Sequence, residues 1–442
     1  MSTSAALPKD QLPAALTLGQ AFWYWLKLGC ISFGGPAGQI ALMHAELVER
    51  RRWMSEQRFL HALNYCMLLP GPEATQLAIY IGWLMHRLPG ALVAGVLFVL
   101  PALLLLVALS WIYLAFGHLP AVAGVLYGVK PAVVAIVLAA AWRIAGRTLR
   151  NPLLMALAVL AFAAISWFAL PFPAIVLAAA LIGWGGGRWT PHYFRAGGHA
   201  GAPHASYGRA LIDDDTPTPP HALFSWRRLA WTAAFGLQLG VYSWVALVRH
   251  YGHDTTFPLM AGFFSKAALL TFGGAYAVLP YVVQGAVDTW HWLTPAQMID
   301  GLALGESTPG PLIMIVTFVG FLGGWQTGGA GGALLGAWVA TFFTFLPSFV
   351  FILAGGPLVE STRGNVRLTA PLTAISAAVV GVILSLAVFF GQHVFVQAGA
   401  IDWRALALFG AACLLLFRFK ASTLQVVGAC AFAGLMLSYA HV

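Results

Sequence analysis

The sequence predicts an all-α polytopic membrane protein made of two inverted-topology homologous repeats with broken or re-entrant helices. Three observations lead there. Of 442 residues, 60% are hydrophobic and only 8% charged, with a mean hydropathy of +0.82. Soluble domains carry about 25% charged residues, so too few polar side chains remain to cover a water-exposed surface. Apolar stretches of spanning length recur from about residue 16 to residue 440 and are continuous rather than alternating, which argues against a β-barrel. Third, the chain repeats itself.

Lys27 and Lys266 stand 239 residues apart, and that offset aligns a long block without a gap. Phe33-Gly34-Gly35 falls on Phe272-Gly273-Gly274, Trp53 on Trp292, and Pro70-Gly71-Pro72 on Pro309-Gly310-Pro311. Ser32 meets Thr271, and Glu49 meets Asp288. Over residues 27–72 there are ten identities in 46 positions, concentrated in rare residue types. Later the offset becomes 246, pairing Leu100-Pro101 with Leu346-Pro347 and Val133-Val134 with Val379-Val380.

The elements follow in order. Residues 1–15 form a polar tail without a cleavable leader pattern, so the first apolar segment directs insertion. Residues 16–187 are the first membrane repeat. Within it, 18–33 and 36–50 form a pair bent at Gly34-Gly35-Pro36, and 57–69 and 73–87 a pair bent at Pro70-Gly71-Pro72. Full spans follow near 90–116, 121–143, 151–168 and 172–187. A Gly/His/Pro-rich linker covers 188–225, an unpaired linking helix and loop 226–256, and the second repeat 257–442.

The net charge of +9 comes from basic residues scattered between apolar segments, as expected of topology signals rather than of a nucleic-acid surface. They cluster at Arg50–Arg52, Arg58, Arg87 and Arg143/Arg147/Arg150, whereas 267–362 contains no Lys or Arg before Arg363, Arg367, Arg418 and Lys420. Both patterns satisfy the positive-inside rule if the units are inverted. The N-terminus and linker are then cytoplasmic and the C-terminus periplasmic. Cys30, Cys66, Cys413 and Cys430 lie in apolar stretches without metal-ligand spacing and read as free thiols.

The chemistry concentrates at the bends. Irregular backbone at membrane depth survives only inside protein or beside a water-filled cavity. Each arm after a bend starts a helix within the membrane, presenting free N–H groups and a positive dipole end suited to an anion. Such Gly and Pro can also serve tight packing and kinks alone; four motifs in two symmetric pairs favour the anion site. Lys27 and Lys266, six residues before their Phe-Gly-Gly motifs, would together neutralise a dianion if they meet at the pseudo-two-fold axis; snorkelling to an interface is the alternative. Lys130 is a third cation, matched by Ser376.

Glu73 and Glu306 are proton-coupling candidates at non-equivalent positions, although an acid in a helix's first turn also complements its dipole. Ser32, Gln39, Asn64, Thr75, Gln76, Thr271, Ser307 and Thr308 could ligate an oxyanion or bond between helices. The linker histidines His192, His199, His204 and His221, with Asp213–Asp215, allow metal binding, but solvated disorder is favoured. A membrane enzyme acting on lipid phosphates would need a closely spaced carboxylate or histidine set, and the sequence has none.

At SFGGPAGQIA (32–41) and LLPGPEATQLA (68–78), with degenerate copies LTFGGAYAVLP (270–280) and ESTPGPLIMIVTFVG (306–320), the chain resembles the chromate ion transporter family, long two-domain bacterial type. The resemblance covers all but the 188–225 linker. It implies antiparallel halves, a multi-pass protein of the bacterial inner membrane, and gradient-driven chromate export conferring resistance. It places the translocation site at the Phe-Gly-Gly and Pro-Gly-Pro positions, Phe33, Gly34, Gly35, Pro70, Gly71 and Pro72 with Phe272, Gly273, Gly274, Pro309, Gly310 and Pro311; the residues' own chemistry adds Ser32, Pro36, Gln39 and Thr271 to the expected substrate contacts. The expected partners are chromate, sulfate as a rival oxyanion, the lipid bilayer and a second copy in a homodimer. No cofactor, metal or nucleic acid is expected. A sulfate transporter or a passive anion channel on the same scaffold are the competing readings.

Overall fold

The computed structural model describes residues 13–33, 35–190, 194, 207–272, 274–361, 369–397 and 399–439. Gly34, Gly273, His192, His199, His204, Arg363, Arg367 and tail residues 1–12 lie outside the described residues. The first repeat comprises α1 (Leu18–Ile31), α2 (Gly35–His44), α3 (Glu56–Cys66), α4 (Glu73–Phe116), α5 (Pro120–Thr148), α6 (Pro152–Ser166) and α7 (Phe172–Trp189). After α8 (Trp226–Tyr251) the series recurs as α9 (Thr256–Leu269), α10 (Ala275–Val283), α11 (Pro295–Glu306), α12 (Ile315–Ser361), α13 (Thr369–Phe395), α14 (Trp403–Cys413) and α15 (Thr423–Tyr439). Even the π-helical turns after α2 (Ala45–Arg50) and α10 (Gln284–Thr289) recur. A two-residue pairing of Val396–Gln397 with Ala400–Ile401 is the strand structure among the described residues.

Helix starts are written into the sequence. Thr17 with Gln20, and Thr294 with Gln297, form capping boxes before α1 and α11. Proline opens α5, α6, α7 and α11, where a missing N–H costs nothing.

At 1.5 Å per residue a straight α4 of 44 residues would run about 66 Å, twice the roughly 30 Å hydrocarbon core. It is instead a hairpin that reverses at His86–Arg87, where Arg87 takes φ 55. The arms pack so tightly that a Cβ on Gly82 would come within 2.3 Å of the Gly90 oxygen. α12 reverses likewise at Gly328–Gly329, with Gly320 against Gly336. The arms expected at 73–87 and 90–116 are therefore separate helices, and the unpaired span is α8.

The repeats are intertwined. α6 and α7 of the first pack on α13 of the second, while α14 and α15 of the second pack on α5 of the first; α5 and α13 meet in the middle. Small residues permit these crossings: Gly128 lies against the Cys430 carbonyl and Gly434, and Gly381 against the Ala158 carbonyl. α4 packs on α12, with α1 and α9 on their flanks.

The described part of the linker departs from the solvated-disorder expectation. Leu211 and Ile212 donate to the Arg52 and Trp53 carbonyls at 2.8 and 3.0 Å, and Ile212 is buried. His221 bonds the Trp83 carbonyl at 3.1 Å. An apolar residue in a polar stretch is enough to dock the segment on the first repeat. We call this side of the molecule the linker face; the α4 reversal lies on it too, since His86 bonds the Leu16 carbonyl at the start of α1. By the repeat, the α12 reversal and the start of α9 lie together at the opposite face, joined by a 2.8 Å bond between Thr256 and Thr327.

Candidate functional site

The four Gly/Pro motifs cross one another between the repeats. The Gly71 N–H donates to the Thr271 carbonyl at 2.8 Å, and the Gly310 N–H donates to the Ser32 carbonyl at 2.9 Å. Each Pro-Gly-Pro motif thus grips the residue before the other repeat's Phe-Gly-Gly, and the two bonds are related by the repeat. Gly71 and Gly310 take φ of +128 and +110, a region in which a side chain is strained. The space is closed as well: a Cβ on Gly71 would lie 2.6 Å from Ser348 Oγ and Gln76 Nε2, and one on Gly310 would lie 2.7 Å from Ala102 Cβ. Ala102 and Ser348 follow the paired prolines Pro101 and Pro347.

Four helices begin here. α2 starts at Gly35 (φ +69), immediately before Pro36, and α10 follows Gly274 (φ +103). α4 follows Pro72, and the turn leading into α12 follows Pro311. α4, α10 and the turn at Leu312–Met314 have no side-chain cap, leaving N–H groups available to an anion.

The polar lining comes mainly from the first repeat. Ser32, Gln39, Thr75, Gln76, Thr271 and Ser348 are all 0% exposed. Gln39 donates to the Gly310 carbonyl at 2.5 Å and Gln76 to the Pro70 carbonyl at 2.7 Å. Thr271 bonds back to the Ala267 carbonyl at 2.7 Å. Ser32 Oγ, Gln39 Oε1, Thr75 Oγ1, Gln76 Oε1 and Ser348 Oγ have no hydrogen-bond partner within the protein. A buried unpaired polar atom costs about 1–3 kcal/mol, so five around one crossing mark a place suited to a polar guest. Val278, Met314 and Ile315 occupy the repeat positions of Gln39, Thr75 and Gln76, so the second copy keeps the backbone device and loses the donors.

The remaining sequence-derived candidates divide between the crossing and positions away from it. Pro309 is buried and Pro70 half-buried beside their glycines; Phe33 is exposed and Phe272 half-buried. Asn64 is exposed, and Ser307 and Thr308 both bond back to the Leu304 carbonyl. Lys27 and Lys266 do not enter the buried crossing. Both are exposed, off the faces of α1 and α9 that pack on α4 and α12. The lysines expected at the axis thus stand at exposed positions, outside the buried crossing.

Glu73 and Glu306 are half-buried at the edges of the crossing, and Tyr276 donates to Glu306 at 2.5 Å. Arg147 acts electrostatically on Glu73 and Arg143 on Glu306; the two arginines are one turn apart on α5.

Two ion pairs join the repeats, each with a buried carboxylate. Lys130 of α5 reaches Asp300 of α11 at 3.4 Å, and Tyr113 of α4 donates to the same carboxylate at 3.1 Å. Arg58 of α3 reaches Glu360 of α12 at 3.7 Å, with the Tyr80 hydroxyl donating to Glu360 and Arg58 donating to the Thr216 carbonyl of the linker. The pairs occupy corresponding places at opposite faces. Asp300 matches His61, one turn after Arg58, while Tyr113 matches Val359, next to Glu360. Asp300, Glu360, Arg58 and Ser348 were missed from sequence as site residues. The signal for the acids was there, since an ionisable residue inside an apolar helix needs a partner.

The family profile described as "Chromate transporter" matches residues 19–184 and 259–435, one segment per repeat. The chain is 31% identical over 428 residues to a chromate transport protein of Cupriavidus metallidurans, covering 95% of this chain and 93% of that one. It is 32% identical over 386 residues to a chromate transport protein of Pseudomonas aeruginosa (85% and 81% covered). To a probable chromate transport protein of Synechococcus elongatus it is 28% identical over 381 residues, with 86% of each covered. No solved structure matches.

Proposed function

This chain belongs to the chromate transporter family, and we propose that it is a secondary active transporter that exports chromate across the bacterial inner membrane by alternating access at the motif crossing. The observation that carries the reading is the reciprocal pair of bonds, Gly71 to Thr271 and Gly310 to Ser32, which brings four helix starts to one place between the repeats. Chromate is a tetrahedral dianion, and removing its water is costly unless donors replace it. Uncapped helix ends and the unpartnered polar atoms of Ser32, Thr75, Gln76 and Ser348 supply replacements without a full positive charge, so binding stays weak enough for release.

Arg50–Arg52, Arg58, Arg87, Arg227 and Arg228 gather on or beside the linker face, which we assign to the cytoplasm, with the N-terminus inside and the C-terminus in the periplasm. Arg58–Glu360 then closes the cytoplasmic side and Lys130–Asp300 the periplasmic side. Opening one while the other holds gives alternating access. Burial of the polar lining of the crossing favours a carrier over a continuously open pore. A dianion gains about 4.6 kcal/mol per 100 mV on leaving an inside-negative cell. Glu73 and Glu306, beside the anion, bind a proton more readily when the anion is present and so link proton and oxyanion occupancy. Sulfate, of the same shape and charge, is the competing substrate.

The experiment is chromate uptake by inside-out vesicles, energised or not, with and without excess sulfate. With the potential clamped to zero by valinomycin and potassium, accumulation driven by the pH gradient that collapses with a protonophore supports the coupled exporter. Flux that follows only the electrochemical gradient of chromate itself favours a channel, and chromate flux eliminated by sulfate in modest excess favours a general oxyanion carrier.

A further inference from the structure

The long arm of α4, α8 and the second arm of α12 enclose a groove of ≈ 1190 Å³ that the transport reading does not use. Along the groove α8 touches α12 through small residues, Gly236 against Val350 and Gly240 against Leu346, and Gly236 is its single buried position. The walls are apolar, including Leu92, Phe235, Phe342 and Phe349. Charge is confined to one end, where Arg87, His221 and Arg228 line the mouth. A smaller pocket of ≈ 500 Å³ adjoins it and shares Arg87 and His221.

That mouth is positive. Neither arginine has a carboxylate partner among the described residues. Arg228 spends one nitrogen, Nη1, on the His221 carbonyl at 2.8 Å and on neighbouring carbonyls, leaving the rest of its fork for an anion. Burial first, then both guanidinium groups, push His221 below the ordinary imidazole value. It is neutral at pH 7, and the charge is that of the arginines. The lining from Arg87 to Leu103 rises about 24 Å along α4, against about 15 Å for one leaflet's hydrocarbon. One lipid with its headgroup at the mouth fits that length.

We propose that this groove binds one anionic phospholipid of the cytoplasmic leaflet, its acyl chains along Leu92, Phe235 and Phe349 and its phosphate on Arg87 and Arg228. Basic pockets between membrane helices on that side select anionic headgroups in this way. α8, outside the repeat, then joins the body partly through lipid.

The test is native mass spectrometry of the full-length protein exchanged into phosphatidylglycerol or phosphatidylcholine of the same chain length. The wild type should retain one phosphatidylglycerol at tenfold preference or more; R87Q/R228Q should lose the preference, and R188Q should keep it. Thr232→Trp, which fills the groove and leaves both arginines, should lose the lipid altogether, covering the case in which the double variant misfolds. Equal retention of phosphatidylcholine by the wild type, or retention of phosphatidylglycerol by T232W, would overturn the proposal. So would disulfide-linked dimers of Thr232→Cys protein in membranes, which would make the groove an interface between copies.

Discussion

Replacing Glu360 by Gln tests the idea that the two ion pairs hold opposite faces closed. In the closed state Arg58 and Glu360 have side-chain exposures of 4% and 3%. Removing one partner of a buried pair costs about 3–5 kcal/mol, because the other charge stays desolvated and uncompensated. Arg58 keeps its bond to the Thr216 carbonyl, so the low end, about 3 kcal/mol, applies. Opening the linker face returns Arg58 to water and removes that cost. At about 1.4 kcal/mol per tenfold, the closed-to-open equilibrium moves by roughly 10²-fold towards the linker side. Cys66 reports it. Arg58, Ala62 and Cys66 recur every fourth residue on one buried stripe of α3, Cys66 two turns deeper. With Cys30, Cys413 and Cys430 replaced by alanine, Glu360→Gln should raise maleimide labelling of Cys66 about 100-fold. Asp300→Asn, which frees the far face, should leave it at or below the parent rate. Unchanged labelling in a Glu360→Gln protein with a parental elution profile would refute the reasoning, as would a rise with Asp300→Asn alone.

Three further variants test the crossing and what lies outside it. Gly310→Ala meets Ala102 at 2.7 Å with φ +110, and chromate flux should fall at least tenfold in vesicles of matched protein content. Gln39→Leu removes the 2.5 Å bond to the Gly310 carbonyl; flux should drop several-fold while a thermal melt shifts by only the equivalent of about 1 kcal/mol. Lys27→Met/Lys266→Met, both at exposed positions, should retain most of the parental flux; its loss in a folded double variant would return the lysines to the pathway.

Much of the architecture was legible because the second copy corroborates the first. The Phe-Gly-Gly and Pro-Gly-Pro motifs located the crossing, and the offset change between Trp53/Trp292 and Pro101/Pro347 comes from longer arms on both sides of the α12 reversal, the two reversals themselves being alike. The exchange of α6/α7 and α14/α15 between repeats was not legible: Gly128 against Gly434 and Gly381 against Ala158 are small residues that carry no address. Equal placement of Lys27 and Lys266 in both copies is as compatible with two exposed arms as with a shared axis. Lys130 was visible as a charge in an apolar helix, but its partner Asp300 lies in the other repeat. Pairing across that separation is a property of the fold. Ser348 gave a subtler signal, being the polar member of the Ala102/Ser348 pair beside a motif glycine.

The most direct measurement is the position of chromium by anomalous scattering from crystals of the protein soaked in chromate. The anion should lie at the motif crossing, within hydrogen-bond reach of Thr75, Gln76 or Ser348 and of the helix starts beside Gly71. Chromium ordered instead against Lys27 or Lys266, with the crossing unoccupied at saturating chromate, would contradict the assignment of the site.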